Sequence, residues 1–420
     1  MSDLDAVVHG ASEVVTVEDD GELGIYEDAA VAVVDGEVAR VGPSGPVTRE
    51  FPPANAAHDV DADGAAVIPG FVDPHTHALF AGDRSDEFEA KLQGATYQEI
   101  LEEGGGILRT VRATRNASDE TLLDDLLSHL DVMLAHGTTT VEVKSGYGLD
   151  AETELRMLDV MARADEVHPV DVVPTFMGAH AVPEGREADD YVDEVVDEQI
   201  PAVADQGVAE FCDVFCEEGV FDVRQSRRVL EAGEAVGLKS KVHAEELAHV
   251  GGTQLAAGMG ATSADHLLHA TEEDVAAVAG TGVSPVLLPG TAFGLGADYA
   301  DARAFLDAGA PVAVATDFNP NCYSQSMGFA TSLACVEMGM TPAEALVAAT
   351  KNAALAVDRT DGTGTLREGT PADLAVLDAP TYVHVPYNFG VNAVDVVVKG
   401  GEVVAKGGTV VHGEEVLDRA

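Results

Sequence analysis

Eight short apolar runs recur between about residue 66 and residue 320, and most are followed by polar residues and then a helix-like segment. In chain order they are AAVIPGFVDPHTH, TTTVEVKSGYG, VDVVPTFMGAH, AEFCDVFCEEG, LKSKVHAEE, ATSADHLL, GVSPVLLPG and PVAVATDFNP. Intervening segments such as AETELRMLDVMARADEV place apolar residues three and four apart, as helices do. Near-continuous apolar runs are typical of strands buried on both faces. Eight such units predict an α/β fold, a (β/α)8 TIM-like barrel.

The two ends of the chain have a different pattern. VAVVDGEVARVG near the start, and ADLAVLD and VDVVVKGGEVVAKGGTVV near the end, are short strands joined by glycine-containing turns. We predict that residues 1–65 and 361–420 together form one small, discontinuous β-sandwich domain. Residues 66–360 then form the barrel.

Charge excludes one class of partner. The chain has 74 acidic residues against 23 basic ones and a formal net charge of −51, so a nucleic acid would be repelled. The acidic residues are spread over predicted helix faces such as EADDYVDEVVDEQ rather than gathered in a tail. Self-repulsion of this size is tolerated when salt screens it, which predicts a halophilic source.

The location follows from what the sequence lacks. No apolar stretch reaches about 18 residues, so we expect no membrane span. The start, MSDLDAVVHGASEVV, is acidic and does not resemble a signal peptide, so we expect a cytoplasmic protein. The four cysteines form no C-x-x-C pair and fit a reducing compartment.

Polar residues fall at the ends of these predicted strands. They are His75, His77, His180, His243, His266 and Asp317. In a (β/α)8 barrel the carboxyl ends of all strands open on one face, so these side chains should meet at one rim. Three or four of them suffice to bind one divalent metal, and imidazole and carboxylate suit zinc and also iron. Such an ion would supply an activated water as nucleophile.

These residues carry a family resemblance that covers nearly all of the chain. The H-x-H after an apolar strand, the later histidines and the aspartate of ATDFNP resemble the amidohydrolase superfamily of metal-dependent hydrolases. PGFVDPHTHALFAGDRSDEF, GGGILRTVRATRNAS, EVKSGYGL, TFMGAHAVP, DVFCEEGVF, KVHAEE, SADHL and LLPGTAFGL narrow the resemblance to the imidazolonepropionase family.

The resemblance implies an activity. It is the hydrolysis of the ring C–N bond of 4-imidazolone-5-propanoate to N-formimidoyl-L-glutamate, the third step of L-histidine degradation. Two alternatives stay open. One is another amidohydrolase, such as a deaminase, acting on a cyclic amide or an aminated heterocycle. The other is a non-catalytic protein that binds metal and a small molecule. The family also implies a homodimer and a small anionic substrate.

The resemblance assigns the reacting centre as follows. His75, His77, His243 and Asp317 are similar to the family's metal ligands, and Asp317 also counts among its catalytic residues. Glu246 lies three residues after His243, close enough to reach a bound water or the substrate ring nitrogen as a proton shuttle. His266 resembles a histidine that steers the water or polarises the carbonyl. The general base is either Glu246 or His266.

Substrate contacts are implied for His180 and Tyr147, and for Arg84, whose planar guanidinium suits a propionate carboxylate. The alternative for Arg84 is an ion pair with Asp83, Asp86 or Glu87. Tyr97 either helps in the same pocket or only packs.

The loop after ATDFNP departs from the family pattern. Asn319 matches and is expected to contact substrate. Asn321 and Cys322 stand where the family has Gly and then Ser or Thr. Asparagine tolerates a left-handed backbone better than most residues, whereas a thiol is a weaker donor than a hydroxyl, so a polar contact is weakened there.

Overall fold

A computed structural model of the chain describes residues 4–18, 21–95, 99–100 and 104–411. Strands are numbered in chain order. Nine of them come from the two ends of the chain and form one mixed sheet: β1 Leu4–Val17, β2 Leu23–Val34, β3 Glu37–Pro43, β4 His58–Asp61, β5 Ala66–Pro69, β14 Leu374–Leu377, β15 Val394–Lys399, β16 Glu402–Lys406 and β17 Thr409–Val410. The other eight form the barrel: β6 Phe71–Asp73, β7 Thr138–Lys144, β8 Asp171–Ala179, β9 Phe211–Cys216, β10 Lys239–Ala244, β11 Ser263–His266, β12 Ser284–Leu287 and β13 Ala313–Val314.

The α-helices of the described part are Ser44–Glu50, Ser85–Leu92, Ile107–Asn116, Asp119–Ala135, Ala151–Val167, Ala188–Glu194, Ile200–Gln206, Val223–Ala235, Gly252–Met259, Glu272–Val278, Pro289–Leu295, Ala302–Asp307, Met327–Val336, Pro342–Ala348, Lys351–Leu355 and His384–Tyr387. A 3₁₀ turn covers Pro53–Asn55, and a π-helical turn covers Val195–Gln199. Within this part, none of the helices has the length and apolarity to cross a membrane.

The barrel strands are parallel and follow one another in chain order from β6 to β13. The eight predicted runs supply these eight strands, so the (β/α)8 prediction is confirmed. Every residue of β7 is buried, as expected for a strand covered on both faces.

Local signals set the helices around the barrel. The Asp150 side chain accepts a hydrogen bond from the backbone of Thr153 and so begins helix Ala151–Val167. Asp222 and Gln225 form a reciprocal capping box at the start of Val223–Ala235.

Backbone hydrogen bonds close the barrel between its first and last strands. The amide of His77 donates to the carbonyl of Phe318 at 2.9 Å, and the amide of Asp317 donates to the carbonyl of His75 at 3.1 Å. Below them the buried carboxylate of Asp73 accepts from the Thr316 hydroxyl at 2.5 Å and the Thr316 amide at 3.1 Å. The closure therefore passes through the residues predicted to hold a metal.

The predicted β-sandwich is one continuous sheet, in the order β17-β16-β15-β14-β5-β1-β2-β3, with β4 beside β1. Both termini contribute to it, as expected. Valines of β1, β2, β14 and β15 share one buried apolar cluster, so the two halves of the sheet enclose a common core. The domain ranges remain predictions, but residues 66–69 pair with β1 and β14 in this sheet, and the first barrel strand begins at Phe71.

Candidate metal centre and active site

The carboxyl ends of the barrel strands bring the predicted residues together. His75 and His77 follow β6, His180 follows β8, His243 and His266 lie in β10 and β11, and Asp317 follows β13. All six are buried. His266 and Asp317 have φ values of 81° and 51°, a left-handed conformation that non-glycine residues adopt at a cost.

The four predicted ligands lie next to one another. His75 Nε2 lies 3.5 Å from Asp317 Oδ1, and His77 Nε2 lies 3.9 Å from the same oxygen. His77 Nε2 and His243 Nε2 are 3.3 Å apart. Burial lowers the pKa of His75 and of His77 well below the usual range, so both rings are neutral, the form that binds metal.

The donor set fits a metal ion. Within the described residues, the buried Nε2 atom of His75 has no hydrogen-bond partner. Burying an unpaired polar atom is costly, unless its lone pair binds a metal ion. His266 also lies near His75, with ring centroids 5.2 Å apart. Three overlapping groups could hold an ion: His75, His77 and Asp317; His75, His243 and His266; and His75, Glu142 and Asp265. Three imidazoles and a carboxylate match zinc or iron.

Two aspartates that the sequence analysis did not single out orient these histidines. Asp265 Oδ2 lies 2.7 Å from Nδ1 of His75, and Asp213 lies 3.1 Å from Nδ1 of His243. A carboxylate accepts the Nδ1 proton, so Nε2 of each ring keeps its lone pair and faces the centre. Asp265 directly precedes His266, and Asp213 interrupts the apolar run FCDVFC. An acidic residue inside a predicted buried strand is the sequence feature that could have predicted their role.

Glu246 stands beside the cluster, with its carboxylate 3.7 Å from His266 Nε2. Burial raises the pKa of Glu246 to about 8, and the charges of Asp317 and Glu217 add to the rise. Its position is supported from both sides. The Glu217 carboxylate accepts from the Glu246 amide at 3.1 Å, and Glu245 accepts from the amides of residues 250–253 at the start of helix Gly252–Met259.

The hydroxyl of Thr291 donates to Asp317 Oδ2, leaving Oδ1 facing the histidines. Thr291 belongs to helix Pro289–Leu295, which follows β12. Burial raises the pKa of Asp317 to about 6, opposed by this hydrogen bond.

Tyr147 and His180 form a ring-lined wall next to His77. The His180 ring stacks on that of His77 with centroids 4.7 Å apart, and the Tyr147 centroid is 5.8 Å from that of His77. Burial lowers the pKa of His180 to about 3 and raises that of Tyr147, so both groups are neutral near neutral pH. The positive charge of Arg84 acts against the rise in the pKa of Tyr147.

Arg84 makes the ion pair that the sequence analysis kept as the alternative. Its Nε and Nη2 lie 2.9 Å and 2.8 Å from Glu87 Oε2, and both side chains are nearly buried. Helix Ser85–Leu92 begins just after Arg84, so the two residues are one turn apart.

Asn319 holds together the loop after Asp317, which differs from the family pattern. Its Nδ2 donates to the carbonyl of Asp317, and its Oδ1 accepts from the amides of Asn321 and Cys322. Asn321 Oδ1 accepts from Lys91 of the helix after Arg84. The buried Cys322 thiol lies 3.6 Å from the Thr316 carbonyl, so it bonds to backbone. Tyr97 lies outside the described residues.

Comparison with known proteins decides the family. The amidohydrolase family matches residues 66–404. An imidazolonepropionase from Haloarcula marismortui is 73% identical over 407 residues, which cover 96% of this chain and 97% of that protein. One from Halobacterium salinarum is 62% identical and covers 97% and 100%. The chain belongs to the imidazolonepropionase family of amidohydrolases. The predicted family is therefore confirmed, and these two relatives come from halophilic archaea, as the acidic composition led us to expect.

Solved structures support the fold. An adenosine deaminase from Xanthomonas campestris, solved with bound zinc, has a TM-score of 0.75 at 19% identity and covers 98% of this chain and 95% of that chain. An atrazine chlorohydrolase from Arthrobacter aurescens, in complex with zinc, has a TM-score of 0.74 at 18% identity and covers 97% and 96%. At this identity the likeness concerns architecture alone.

The loop that carries Tyr147 depends on Glu154. This fully buried carboxylate accepts from the amides of Gly146, Gly148 and Leu149 at 2.7–2.9 Å. We expect Glu154→Ala to leave these three amides without an acceptor and so to lower the free energy of unfolding by about 2–4 kcal/mol. Exposed Glu152 on the same helix is the matched control, and Glu152→Ala should cost no more than about 0.5 kcal/mol. Denaturant unfolding in fixed molar salt measures both, and equal losses would contradict this role.

Proposed function

We propose that the chain hydrolyses the ring C–N bond of 4-imidazolone-5-propanoate to N-formimidoyl-L-glutamate, in the degradation of L-histidine. The observation that carries the proposal is the convergence of His75, His77, His243 and Asp317 beside the buried acid Glu246, in a chain of this family. Relatives named imidazolonepropionase span nearly the whole chain and support the choice of substrate.

We assign the metal, zinc or iron, to His75, His77, His243 and Asp317. When bound, such an ion polarises a carbonyl oxygen and lowers the pKa of a water molecule. The tautomers set by Asp265 and Asp213 present two Nε2 lone pairs to it. The thiol of Cys322 donates to the backbone carbonyl of Thr316, which supports nitrogen and oxygen ligation.

Glu246 moves the protons in this proposal. It takes a proton from the attacking water, whose oxygen bonds to the ring carbonyl carbon, and delivers a proton to the ring nitrogen as the C–N bond breaks. His266 is neutral, since burial lowers its pKa well below the usual range, and it orients the water or the carbonyl. Ring opening gives one molecule with a new N–H and a new carboxylic acid group, and the acid then loses its proton to solvent.

A second group of residues orients the substrate in this proposal. Tyr147 and His180 contact the ring, and Asn319 contacts the product from the loop after β13. Arg84 receives the propionate carboxylate through the part of its guanidinium that Glu87 does not use. A guanidinium already aligned by a buried carboxylate loses little freedom when it binds a second one.

The assay that tests the function follows the ultraviolet absorbance of freshly generated 4-imidazolone-5-propanoate in about molar salt, which screens the surface charge. We expect loss of the ring chromophore, with N-formimidoyl-L-glutamate as product, and its abolition by a chelator. Restoration by zinc or iron separates the two metals. Ammonia release would instead indicate a deaminase, and metal binding without turnover would indicate a binding protein.

The pH profile distinguishes the two candidate bases. A base acts when deprotonated, so with Glu246 as the base kcat/KM rises with pH and levels off above its pKa of about 8, or lower because a bound cation stabilises the carboxylate. His266, with its low pKa, would give a flat profile near neutrality. We expect the rising limb to persist in His266→Asn and to vanish in Glu246→Gln, with kcat down about 10²–10⁴-fold in the latter. If the rise of kcat/KM with pH is lost in His266→Asn but kept in Glu246→Gln, Glu246 is not the general base.

Substitution of Arg84 tests the carboxylate anchor. Arg84→Met should raise KM by about 10- to 100-fold with little change in kcat, because the lost contact is the same in ground state and transition state. Arg186→Met, which removes a half-exposed ion pair with Glu194, is the control. A variant that is less stable but keeps the wild-type KM would mean that Arg84 serves only its pair with Glu87.

We also propose that two copies of the chain associate through one apolar face. Helix Met327–Val336 packs against helices Pro289–Leu295 and His384–Tyr387, and the segments 318–336 and 379–394 contain no Asp, Glu, Lys or Arg. Large apolar side chains are exposed there: Phe293, Tyr323, Val336, Tyr387, Phe389 and Val391. A second copy with a net charge of −51 is least repelled at a face without charge.

Light scattering tests this association. The wild type should have about twice the 43.5 kDa chain mass, and Phe389→Asp should shift it to the single-chain mass with unchanged circular dichroism. Val167→Asp, at an exposed valine outside this face, should leave the mass unchanged. A monomeric wild type, or a dimer indifferent to Phe389→Asp, would contradict the proposal.

A further inference from the structure

Five charged side chains lie inside the barrel directly below the histidine cluster. They are Glu142 and Lys144 of β7, Asp213 of β9, Lys241 of β10 and Asp265 of β11, and each is fully buried. Barrel interiors are usually filled by branched apolar side chains, so a charged layer needs a reason. The layer contains three carboxyl groups and two amino groups.

Lys144 is the centre of this layer. Its Nζ lies 2.7 Å from Glu142, 2.7 Å from Asp213 and 3.8 Å from Asp265. Lys241 is held differently, 3.3 Å from Glu142 and within 3.0 Å and 3.1 Å of the carbonyls of Pro74 and Ala356. In the described part of the chain, Lys144 is the lysine that contacts both aspartates.

Those two aspartates are the partners of two different metal-binding histidines. Asp265 lies 2.7 Å from His75 Nδ1, and Asp213 lies 3.1 Å from His243 Nδ1. The Lys144 ammonium group on β7 is therefore linked through Asp265 of β11 to His75, which follows β6, and through Asp213 of β9 to His243 on β10. A shift of Lys144 would release both rings at once.

We propose that Lys144 is a positioning residue for the metal centre. By holding Asp213 and Asp265 in place, it keeps His243 and His75 in the Nδ1–H tautomer with both Nε2 atoms facing the ion, and so sets the affinity of the site for metal. This inference rests on the metal assignment proposed above. Partners in the second shell of metal sites typically alter affinity by about 10–100-fold.

Lys241 provides a matched control. It is an equally buried lysine of the same layer and also contacts Glu142, yet its Nζ forms an ion pair with neither aspartate and acts on Asp265 only through its charge at longer range. Lys144→Met and Lys241→Met remove the same charge from the same interior. A role in barrel stability alone predicts that the two variants behave alike.

The experiment compares zinc affinity in the full chain, stripped by chelator in molar salt and titrated against a chromophoric competitor. We expect Lys144→Met to bind zinc about 10–100-fold more weakly than the wild type, and Lys241→Met to stay within about 3-fold. Nitrogen-15 spectra of histidine in the metal-free protein give a second reading. His75 and His243 should be Nδ1–H tautomers in the wild type and Lys241→Met, and tautomer mixtures in Lys144→Met.

Equal loss of affinity in the two variants, or wild-type affinity and tautomers in Lys144→Met, would overturn the proposal. Should Lys144→Met not fold, Asp265→Asn tests one of the two links, since the Asp265 carboxylate contacts Lys144 and the ring of His75, whereas Asp213 contacts the ring of His243. The His75 signal should change and that of His243 should not, and any other pattern counts against the proposal. A wild type that binds neither zinc nor iron overturns the metal assignment and this inference together. A wild type that binds zinc without opening the ring affects only the proposed reaction.

Discussion

The junction between the first and last barrel strands is the contact on which the site depends. His75 and His77 precede Asp317 by more than two hundred residues, and the backbone bonds that close the barrel connect these same residues. Closing the barrel therefore also brings His75 and His77 next to Asp317. Thr316 secures the junction from below, through two hydrogen bonds to Asp73. Burial raises the pKa of Asp73 to about 7, which shows how much desolvation this arrangement imposes on a carboxyl.

Charge acts in opposite ways inside and outside this molecule. On the surface, the excess of acidic residues opposes the compact state and is screened by salt. Inside the barrel, Lys144 and its carboxylates are out of reach of that screening, and burying them is costly unless every partner is in place. Stability comes instead from the apolar layer between strands and helices and from the shared core of the terminal sheet. In the role proposed for Lys144, the charged interior positions the metal-binding histidines rather than stabilising the fold.

The sequence predicted the barrel and the convergence of the histidines because both follow from pattern: buried runs in series, with polar residues at their ends. It did not predict the pairing of Asp213 with His243 or the contacts of Lys144, which depend on register between strands far apart in sequence. The first apolar run was predicted to be one strand, but it forms two, β5 in the terminal sheet and β6 in the barrel. Gly70 lies between them, at a position where a Cβ would lie 2.4 Å from the Thr139 hydroxyl oxygen. Arg84 stayed ambiguous because pairing with Glu87 depends on where the helix begins.

The central claim is that three histidines and one aspartate hold a single metal ion at the barrel mouth. X-ray absorption at the metal edge, on protein purified in molar salt with its metal content measured, tests it most directly. We expect one zinc or iron per chain, a first shell of nitrogen and oxygen only, and outer-shell scattering from about three imidazole rings, with one ring fewer in His243→Ala. Sulfur in the first shell, or an unchanged spectrum in His243→Ala, would contradict the account.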